Sequence, residues 1–259
     1  MSTLTLIVLF TALGGAVSAT LAGAFLLLPE AVRHRLVPHL VSFATGALLG
    51  AALLALVPHA VDGAGPGNTH LVGLALVVGI LLFFVLEKMV LWRHCHDDHC
   101  EGHVPTHAHR DRVSATLILW GDGFHNLLDG VLIAAAFMTD LHLGIVTAIA
   151  VFAHELPQEV GDLAILLQGG MSRLRALTVN VAVSLASVVG GVIAWFALSD
   201  ALHLLPYALA VAASSFLYIA VADLIPGLHR KLDAGSSVKQ VALIILGMAV
   251  IFFSHRFAH

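Results

Sequence analysis

Two short polar stretches near the middle of the chain interrupt runs that are otherwise apolar enough to span a bilayer. The first reads D-G-F-H-N-L-L-D-G from Asp122 to Gly130, and the second reads H-E-L-P-Q-E-V-G-D from His154 to Asp162. A carboxyl group at the bilayer centre costs about 2.5–3.5 kcal/mol on insertion scales, so several of them need a compensating partner. Because imidazole, carboxylate and amide groups together are typical ligands of divalent metals, the two stretches predict a buried cation site.

The same spacing of polar residues occurs in both stretches. Residues four apart stack on one face of a helix, and the residue after the first lies on the flank of that face. The six predicted ligands follow this i, i+1, i+4 pattern: His125, Asn126 and Asp129, then His154, Glu155 and Gln158. Four further acids are predicted to line the site or the path of the metal: Asp122, Glu159, Asp162 and Asp223.

Pro157 adds a second feature to the fifth span. A proline has no N–H to donate to the carbonyl of Ala153, so we expect a kink and a free carbonyl beside the site. One divalent ion would cancel the charges of Asp129 and Glu155, and its affinity should fall in acid because metal binding needs deprotonated ligands. The alternative is that the polar groups form helix–helix hydrogen bonds or a proton relay without metal.

The composition is that of a polytopic membrane protein. Of the 259 residues, 59% are hydrophobic and 11% are charged, whereas soluble domains average about 25% charged residues. A search for apolar spans of about 20 residues predicts an all-α bundle of eight transmembrane helices, at 3–28, 39–61, 70–92, 113–138, 142–167, 175–198, 203–226 and 238–254. We expect one transmembrane domain over residues 1–259 and, since no run of basic residues is present, no nucleic-acid partner.

The basic residues indicate the orientation of the chain. The odd-numbered loops and the ends of the spans beside them hold eleven of the twelve Lys and Arg residues, and Arg256 near the C-terminus is the exception. The positive-inside rule therefore predicts that these loops are cytoplasmic and that both termini lie outside. We expect a multi-pass protein of a cell membrane, with a bacterial inner membrane favoured, that contacts lipid; a homodimer is one option for its assembly.

The third predicted loop, residues 93–112, is rich in histidine and contains both cysteines of the chain. Its candidate metal ligands are His94, Cys95, His96, His99, Cys100, His103, His107 and His109. Imidazole and thiolate can bind zinc in many combinations, so the loop is interpreted as a cytoplasmic zinc sensor or as a receiving site at the exit of a metal path. A solvated linker that binds metal only adventitiously is the alternative.

Small residues predict close contacts between the spans. The second span contains a G-x-x-x-G motif from Gly46 to Gly50, a pattern typical of tightly packed membrane helices. The first span carries a stripe of small side chains: Gly14, Ser18, Ala19 and Gly23. Asn180 and Ser184, four apart on the sixth span, are interpreted as helix contacts rather than as ligands.

The two polar motifs resemble the ZIP family of divalent metal transporters, in the branch whose fourth span reads H-N-x-x-D and whose fifth reads H-E-x-P-H-E-x-G-D. The similarity includes eight spans, a long histidine-rich third loop, and a seventh span with Asp223 and Pro226. The resemblance implies a binuclear or near-binuclear metal site midway along a transport path. It implies one half-site of His125, His154 and residue 158, and another of Asn126, Asp129 and Glu155.

Two positions depart from the pattern of that branch. Gln158 stands where the branch has its second histidine, and an amide oxygen is a weaker, uncharged ligand than imidazole. Ala55 stands where related members often place a histidine near the site, although His59 remains one turn further on. We expect transport to survive both changes, with an altered preference among metals.

The motifs and the resemblance together predict a transporter rather than an enzyme. Its expected substrate is zinc, carried into the cytoplasm, with iron, manganese and cadmium as further divalent candidates. An intramembrane zinc-dependent hydrolase that uses the same ligands is the alternative, but H-E-L-P-Q misses the last residue of the H-E-x-x-H motif. A metal-sensing membrane receptor without flux is the third option.

Overall fold

The computed structural model describes residues 2–95, 107–229 and 234–256, and all the regular structure in these ranges is helical. Eight helices follow one another along the described chain: α1 (Thr3–Phe25), α2 (Glu30–Ala64), α3 (Thr69–Cys95), α4 (His107–Thr139), α5 (Leu141–Gln168), α6 (Arg173–Ser199), α7 (Leu202–Leu228) and α8 (Ala234–Arg256). The predicted all-α membrane fold is confirmed.

Six of these helices are long and apolar enough to cross a membrane over the part that the structure describes; α4 and α5 are not among the six. Those two helices hold the polar stretches, yet they have 33 and 28 residues. At about 1.5 Å per residue, each is longer than the hydrocarbon core of about 30 Å. The number of eight spans and the position of both termini outside stay predictions.

Two helices begin earlier than the apolar pattern predicts. α2 begins at Glu30 rather than at residue 39, and it continues through Pro38. α4 begins at His107 rather than at residue 113, inside the predicted third loop. An apolar run marks only the part of a helix that suits lipid, whereas backbone hydrogen bonds can continue the helix into the polar region beyond it.

The helices pack in two groups. α4 packs most extensively against α6 and also contacts α1 and α5, whereas α2 packs against α8 and α3 packs against α7. α5 contacts both groups, since it touches α1 and α4 on one side and α2 on the other. The helix that carries the second polar stretch therefore lies in the interior of the bundle, where its polar face is shielded from lipid.

Glycine allows the close approach of α2 and α8. A Cβ atom on Gly46 would overlap the carbonyl oxygen of Ile244, and one on Gly247 would overlap the carbonyl oxygen of Phe43. The backbones of the two helices are thus in direct contact, which confirms the close packing predicted from the G-x-x-x-G motif. The small residues of α1 are also packed inward, since Ser18 and Ala19 are fully buried.

A second glycine crossing joins α4 to α6. A Cβ atom on Gly190 would overlap the carbonyl oxygen of Leu127, and one on Gly130 would overlap the carbonyl oxygen of Ser187. Leu127 lies between the predicted ligands Asn126 and Asp129. The crossing therefore fixes the position of the polar stretch of α4 against α6.

Prolines coincide with wider turns in α2 and α7. A π-helical segment spans Ala51–Leu56 just before Pro58, and another spans Ile219–Leu224 just before Pro226. A proline ring clashes with the carbonyl four residues earlier and removes a hydrogen bond, and a wider turn accommodates both effects. In contrast, α5 runs through Pro157 as an unbroken α-helix.

Substitution of Gly190 by alanine tests the α4–α6 crossing. We expect Gly190→Ala to lower the free energy of unfolding by about 1–3 kcal/mol, because the added methyl group pushes against the backbone of α4. Gly73→Ala is the matched control, since a Cβ atom there meets no other atom within 4 Å; it should be neutral or slightly stabilising. Thermal unfolding in detergent measures both, and equal effects would contradict the close crossing.

Candidate metal centre

Four predicted ligands converge between α4 and α5. The two imidazoles meet first, with His125 Nε2 at 3.2 Å from His154 Nε2. Asp129 Oδ2 lies 3.1 Å from His154 Nε2 and 3.9 Å from His125 Nε2. Glu155 Oε1 lies 3.3 Å from His125 Nε2 and 3.6 Å from His154 Nε2. One atom from each of the four side chains thus lies within 4.8 Å of all the others.

These separations match the ligand spacing around a tetrahedral zinc ion. Zinc binds imidazole nitrogen and carboxylate oxygen at about 2.0–2.2 Å, so two ligand atoms of a tetrahedron lie about 3.3–3.6 Å apart. Five of the six separations among the four ligand atoms run from 3.1 to 3.9 Å. The side chains therefore already surround a space of the right size for one ion.

A backbone contact fixes the ring of His154. Its Nδ1 lies 3.0 Å from the carbonyl oxygen of Ala150, one turn earlier on α5. Because a carbonyl oxygen can only accept, Nδ1 carries the proton in the neutral ring and Nε2 is left with a lone pair. This arrangement, in which one ring nitrogen donates to a carbonyl and the other faces the ion, is typical of metal-bound histidines.

Among the described residues, no hydrogen-bond donor satisfies the two carboxylates of the centre. Both side-chain oxygens of Asp129 and both of Glu155 are buried without a hydrogen-bond partner in the described structure. Asp129 is 1% exposed and Glu155 is fully buried. An unpaired buried carboxylate costs several kcal/mol, so these four oxygens require a cation or protons.

The centre is closed on most sides but not at His125. The ring of Phe216, which is fully buried, meets the ring of His154 edge to face, with 6.0 Å between the ring centroids. The side chain of His125 is 19% exposed, whereas that of His154 is 1% exposed. Of the two predicted histidine ligands, His125 is therefore the one that is open to the surroundings of the centre.

Asn126 connects the centre to Asp122. Its amide nitrogen donates to Asp122 Oδ1 at 2.9 Å and to the backbone carbonyl of Asp122 at 3.2 Å. Its own Oδ1 is buried without a hydrogen-bond partner in the described structure, so it is available to a cation. Gln158 is half-buried on α5, one turn after His154. The ligand roles of Asn126 and Gln158, like those of the four residues of the centre, stay predictions.

A second group of acids lies beside the first. Asp122, Glu155 and Glu159 are all buried, and each offers a carboxylate oxygen within 4.8 Å of the other two. Glu159 is held by α6, because the hydroxyl of Ser184 donates to its Oε1 at 2.6 Å and the amide of Asn180 donates to its Oε2. The sequence indicated a helix contact at Asn180 and Ser184, but it gave no sign that Glu159 is their partner.

A protein-family model described as ZIP Zinc transporter matches residues 92–255, which is more than half of the chain. The chain belongs to the ZIP family. The family consists of transporters rather than enzymes, in agreement with the prediction from the motifs.

Named relatives of this ZIP chain include zinc transporter ZIP13 of Pongo abelii, at 33% identity over 231 residues, covering 82% of this chain and 65% of the relative. Zinc transporter zipt-7.1 of Caenorhabditis briggsae is 30% identical over 255 residues, covering 77% and 64%. Human zinc transporter ZIP5 is 34% identical over 270 residues, covering 79% and 50%. The chain therefore spans less than two thirds of the length of each of these relatives.

The remaining predicted site residues lie apart from the first group. Asp162 is half-buried near the end of α5, and its Oδ2 is buried without a hydrogen-bond partner in the described structure. Asp223 is exposed on the π-helical segment of α7 and belongs to neither group of acids. The periodicity of a regular helix could not predict this position of Asp223, because the wider π-helical turn changes which face each residue occupies.

The predicted loop ligands of this ZIP chain divide into two sets. His96, His99, Cys100 and His103 lie outside the described residues. For His94, Cys95, His107 and His109 the structure describes only a helical backbone, at the end of α3 and the start of α4. Metal binding by the loop stays a prediction.

Zinc should stabilise the folded chain through the four ligands. At a free zinc concentration a hundred times the dissociation constant, the expected gain is about 2.7 kcal/mol. His154→Ala and Asp129→Asn should lose this gain, while Asp129→Asn leaves the metal-free protein at least as stable because it removes an uncompensated charge. Thermal unfolding with and without zinc measures the effect, and His70→Ala, on the exposed start of α3, is the control. An equal gain in all variants would show that zinc binds elsewhere.

Proposed function

We propose that this chain carries divalent metal ions, and zinc above all, across the membrane through the centre between α4 and α5. The proposed ligands are His125, Asp129, His154 and Glu155, completed by Asn126 and Gln158. One observation carries the proposal: two imidazole nitrogens meet two carboxylates that have no donor among the described residues, at separations close to those around a tetrahedral ion, inside a bundle of membrane helices. The zinc transporters among the relatives support the same metal.

The ligand set favours carriage over catalysis. Catalytic zinc sites use three protein ligands and keep one position open for water. Here four ligand atoms from two helices already surround the site, and the proposed contacts from Asn126 and Gln158 would add to them, so a bound zinc ion would keep no open position for a catalytic water. The intramembrane hydrolase therefore lacks both its motif and its coordination geometry.

Charge balance explains how an ion could be held inside the membrane. Two ionised carboxylates, Asp129 and Glu155, cancel the two charges of a divalent cation, while both imidazoles bind as neutral groups. The complex of ion and ligands is then neutral overall, so its burial costs less free energy than the burial of the unpaired charges would. An ion of single charge would leave the site with a net negative charge.

We infer the direction of transport from the family resemblance, because the predicted orientation of the loops does not by itself fix it. The odd-numbered loops carry most of the basic residues and are predicted to be cytoplasmic. We assign import to the chain, with the centre open alternately to each side, as in secondary transporters that bind their substrate near the midplane. Release would then occur toward the third loop, whose histidines and cysteines can receive the ion.

A flux assay tests the proposal. The purified protein is reconstituted in liposomes with a metal-sensitive dye inside, and entry of zinc is followed by fluorescence. His154→Ala and Asp129→Ala should lower the entry rate about tenfold or more, since a loss of 1.4 kcal/mol in ion binding is already a factor of ten. His70→Ala should transport like the wild type. Full flux in both ligand variants would remove these residues from the transport site.

Gln158 should influence the choice of metal. Imidazole is a stronger ligand for zinc than an amide oxygen, whereas manganese prefers oxygen ligands. We expect Gln158→His to raise the ratio of zinc to manganese flux, on the order of tenfold for a gain of about 1.4 kcal/mol. Competition between the two metals in the same liposomes measures the ratio. An unchanged ratio would place Gln158 outside the coordination of the ion.

A further inference from the structure

We propose that one end of the bundle binds the headgroup of an anionic phospholipid. It is the end where α1 leads into α2 and where α5 leads into α6. Two arginines near the start of α2 and two at the start of α6 supply the positive charge: Arg33, Arg35, Arg173 and Arg175. These four residues are called the arginine rim. The site involves no residue of the metal centre, so it is independent of the proposed function.

The two pairs of arginines flank one apolar cluster. Its buried members come from α1, α5 and α6, and they are Ala22, Val160, Leu163, Leu166 and Ala176. Val37 of α2 packs against this cluster, and Arg33 lies one turn before Val37 on the same face of the helix. Arg173 and Arg175 come directly before Ala176 on α6. The cluster therefore places both pairs at the same edge of the protein.

The charge of the arginine rim is not balanced within the described chain. Residues 26–39 and 169–177 contain the four arginines and a single acid, Glu30. The carboxylate of Glu30 lies on the side of His34, with 3.4 Å between its Oε1 and the Nε2 of that ring. Among residues 2–95, 107–229 and 234–256, no side chain forms an ion pair with any of the four arginines. The rim therefore attracts an anion from outside the chain.

The guanidinium group of Arg33 lacks an acceptor where it is shielded from water. Its Nε is buried, and no atom of the described residues accepts a hydrogen bond from it. A guanidinium group stays protonated in proteins, and a buried donor without an acceptor is destabilising. Phosphate oxygens match the planar arrangement of guanidinium donors, so a phosphate group is a suitable acceptor at this position.

Apolar side chains beside the arginine rim indicate that the ligand also has an apolar part. Leu27, just after α1, is 76% exposed, and Leu174, between the two arginines of α6, is 73% exposed. A free phosphate ion would leave both leucines uncovered. A phospholipid covers them with its acyl chains while its phosphate meets the arginines, because long basic side chains keep their charge at the interface above apolar surface. The occupant that fits both features is an anionic phospholipid.

The arginine rim also lies at the depth where headgroups are found. It stands at the ends of α1, α2 and α6, and each of these helices is long and apolar enough to cross a membrane. This is the side predicted to be cytoplasmic, where anionic lipids attract basic residues by about fivefold in affinity for each Lys or Arg. α2 and α6 belong to different groups of packed helices. A headgroup bound by both helices therefore connects the two groups at this end.

Native mass spectrometry of the full chain in detergent tests the proposal. The probes are phosphatidylglycerol and phosphatidylcholine with the same acyl chains, each titrated onto protein from which lipid has been removed. We expect phosphatidylglycerol to bind about tenfold or more tightly than phosphatidylcholine, because only the first has a net negative charge for the arginine rim. Inorganic phosphate, added at the same concentration as phosphatidylglycerol, should not displace it.

Two variants on different helices locate the lipid. Arg33→Gln and Arg173→Gln should each weaken the binding of phosphatidylglycerol about fivefold and leave that of phosphatidylcholine unchanged. Lys88→Gln is the matched control, because Lys88 is an exposed cation near the end of α3, on the same predicted side of the membrane. It should bind phosphatidylglycerol like the wild type. The unfolding temperature without added lipid reports whether each variant is folded, and either arginine variant alone is sufficient for the test.

Three results would overturn the lipid site: equal affinity of the wild type for the two lipids, unchanged binding in the arginine variants, or the same loss in Lys88→Gln, which would indicate a general attraction to basic ends. Displacement of phosphatidylglycerol by inorganic phosphate would also overturn it, since the rim would then hold a free anion. The stabilisation by zinc is measured on the same variants and should be unchanged. Its absence from the wild type would count against the metal centre alone.

Discussion

The structure depends on carboxylates that are buried between α4 and α5 and that no donor in the described part of the chain satisfies. Neither oxygen of Asp129 nor of Glu155 has a hydrogen-bond partner among the described residues, although both side chains are almost fully buried. A membrane interior supplies no water in compensation, so the charge must be met by something that the site itself holds. The close approach of two imidazole nitrogens to the same oxygens makes a divalent cation the simplest answer.

Helix packing keeps this polar interior in place. Gly130 and Gly190 bring the backbones of α4 and α6 into contact beside the polar stretch, and the same helix α6 supplies Asn180 and Ser184 to Glu159. The close packing at these glycines therefore matters for the site as well as for the fold, because it fixes the distance between α6, which carries Asn180 and Ser184, and the carboxylate of Glu159. α5 completes the arrangement, since its contacts with both groups of helices keep its acids away from lipid.

Helical periodicity let the sequence predict more of the site than of its surroundings. His125 and Asp129, like His154 and Glu155, occupy faces that spacing alone identifies, and the structure brings these four together. The partner of Glu159 could not be predicted, because Asn180 and Ser184 are distant in sequence and their contact depends on how α6 is rotated. The face that Asp223 occupies could not be predicted either. It lies in a π-helical segment before Pro226, which places it on a different face from the one that a regular helix would give it.

The sequence by itself determined that the chain is an all-α membrane protein and which residue types face one another along two of its helices. Composition fixes the solvent that each helix prefers, and a turn of 3.6 residues fixes which side chains share a face. Only the tertiary structure decided which face meets which neighbour, which oxygen of Glu155 turns to the imidazoles, and that Glu159 is tied to α6. Those choices depend on the rotation of each helix about its own axis, which is set by packing between distant segments and is absent from the local pattern.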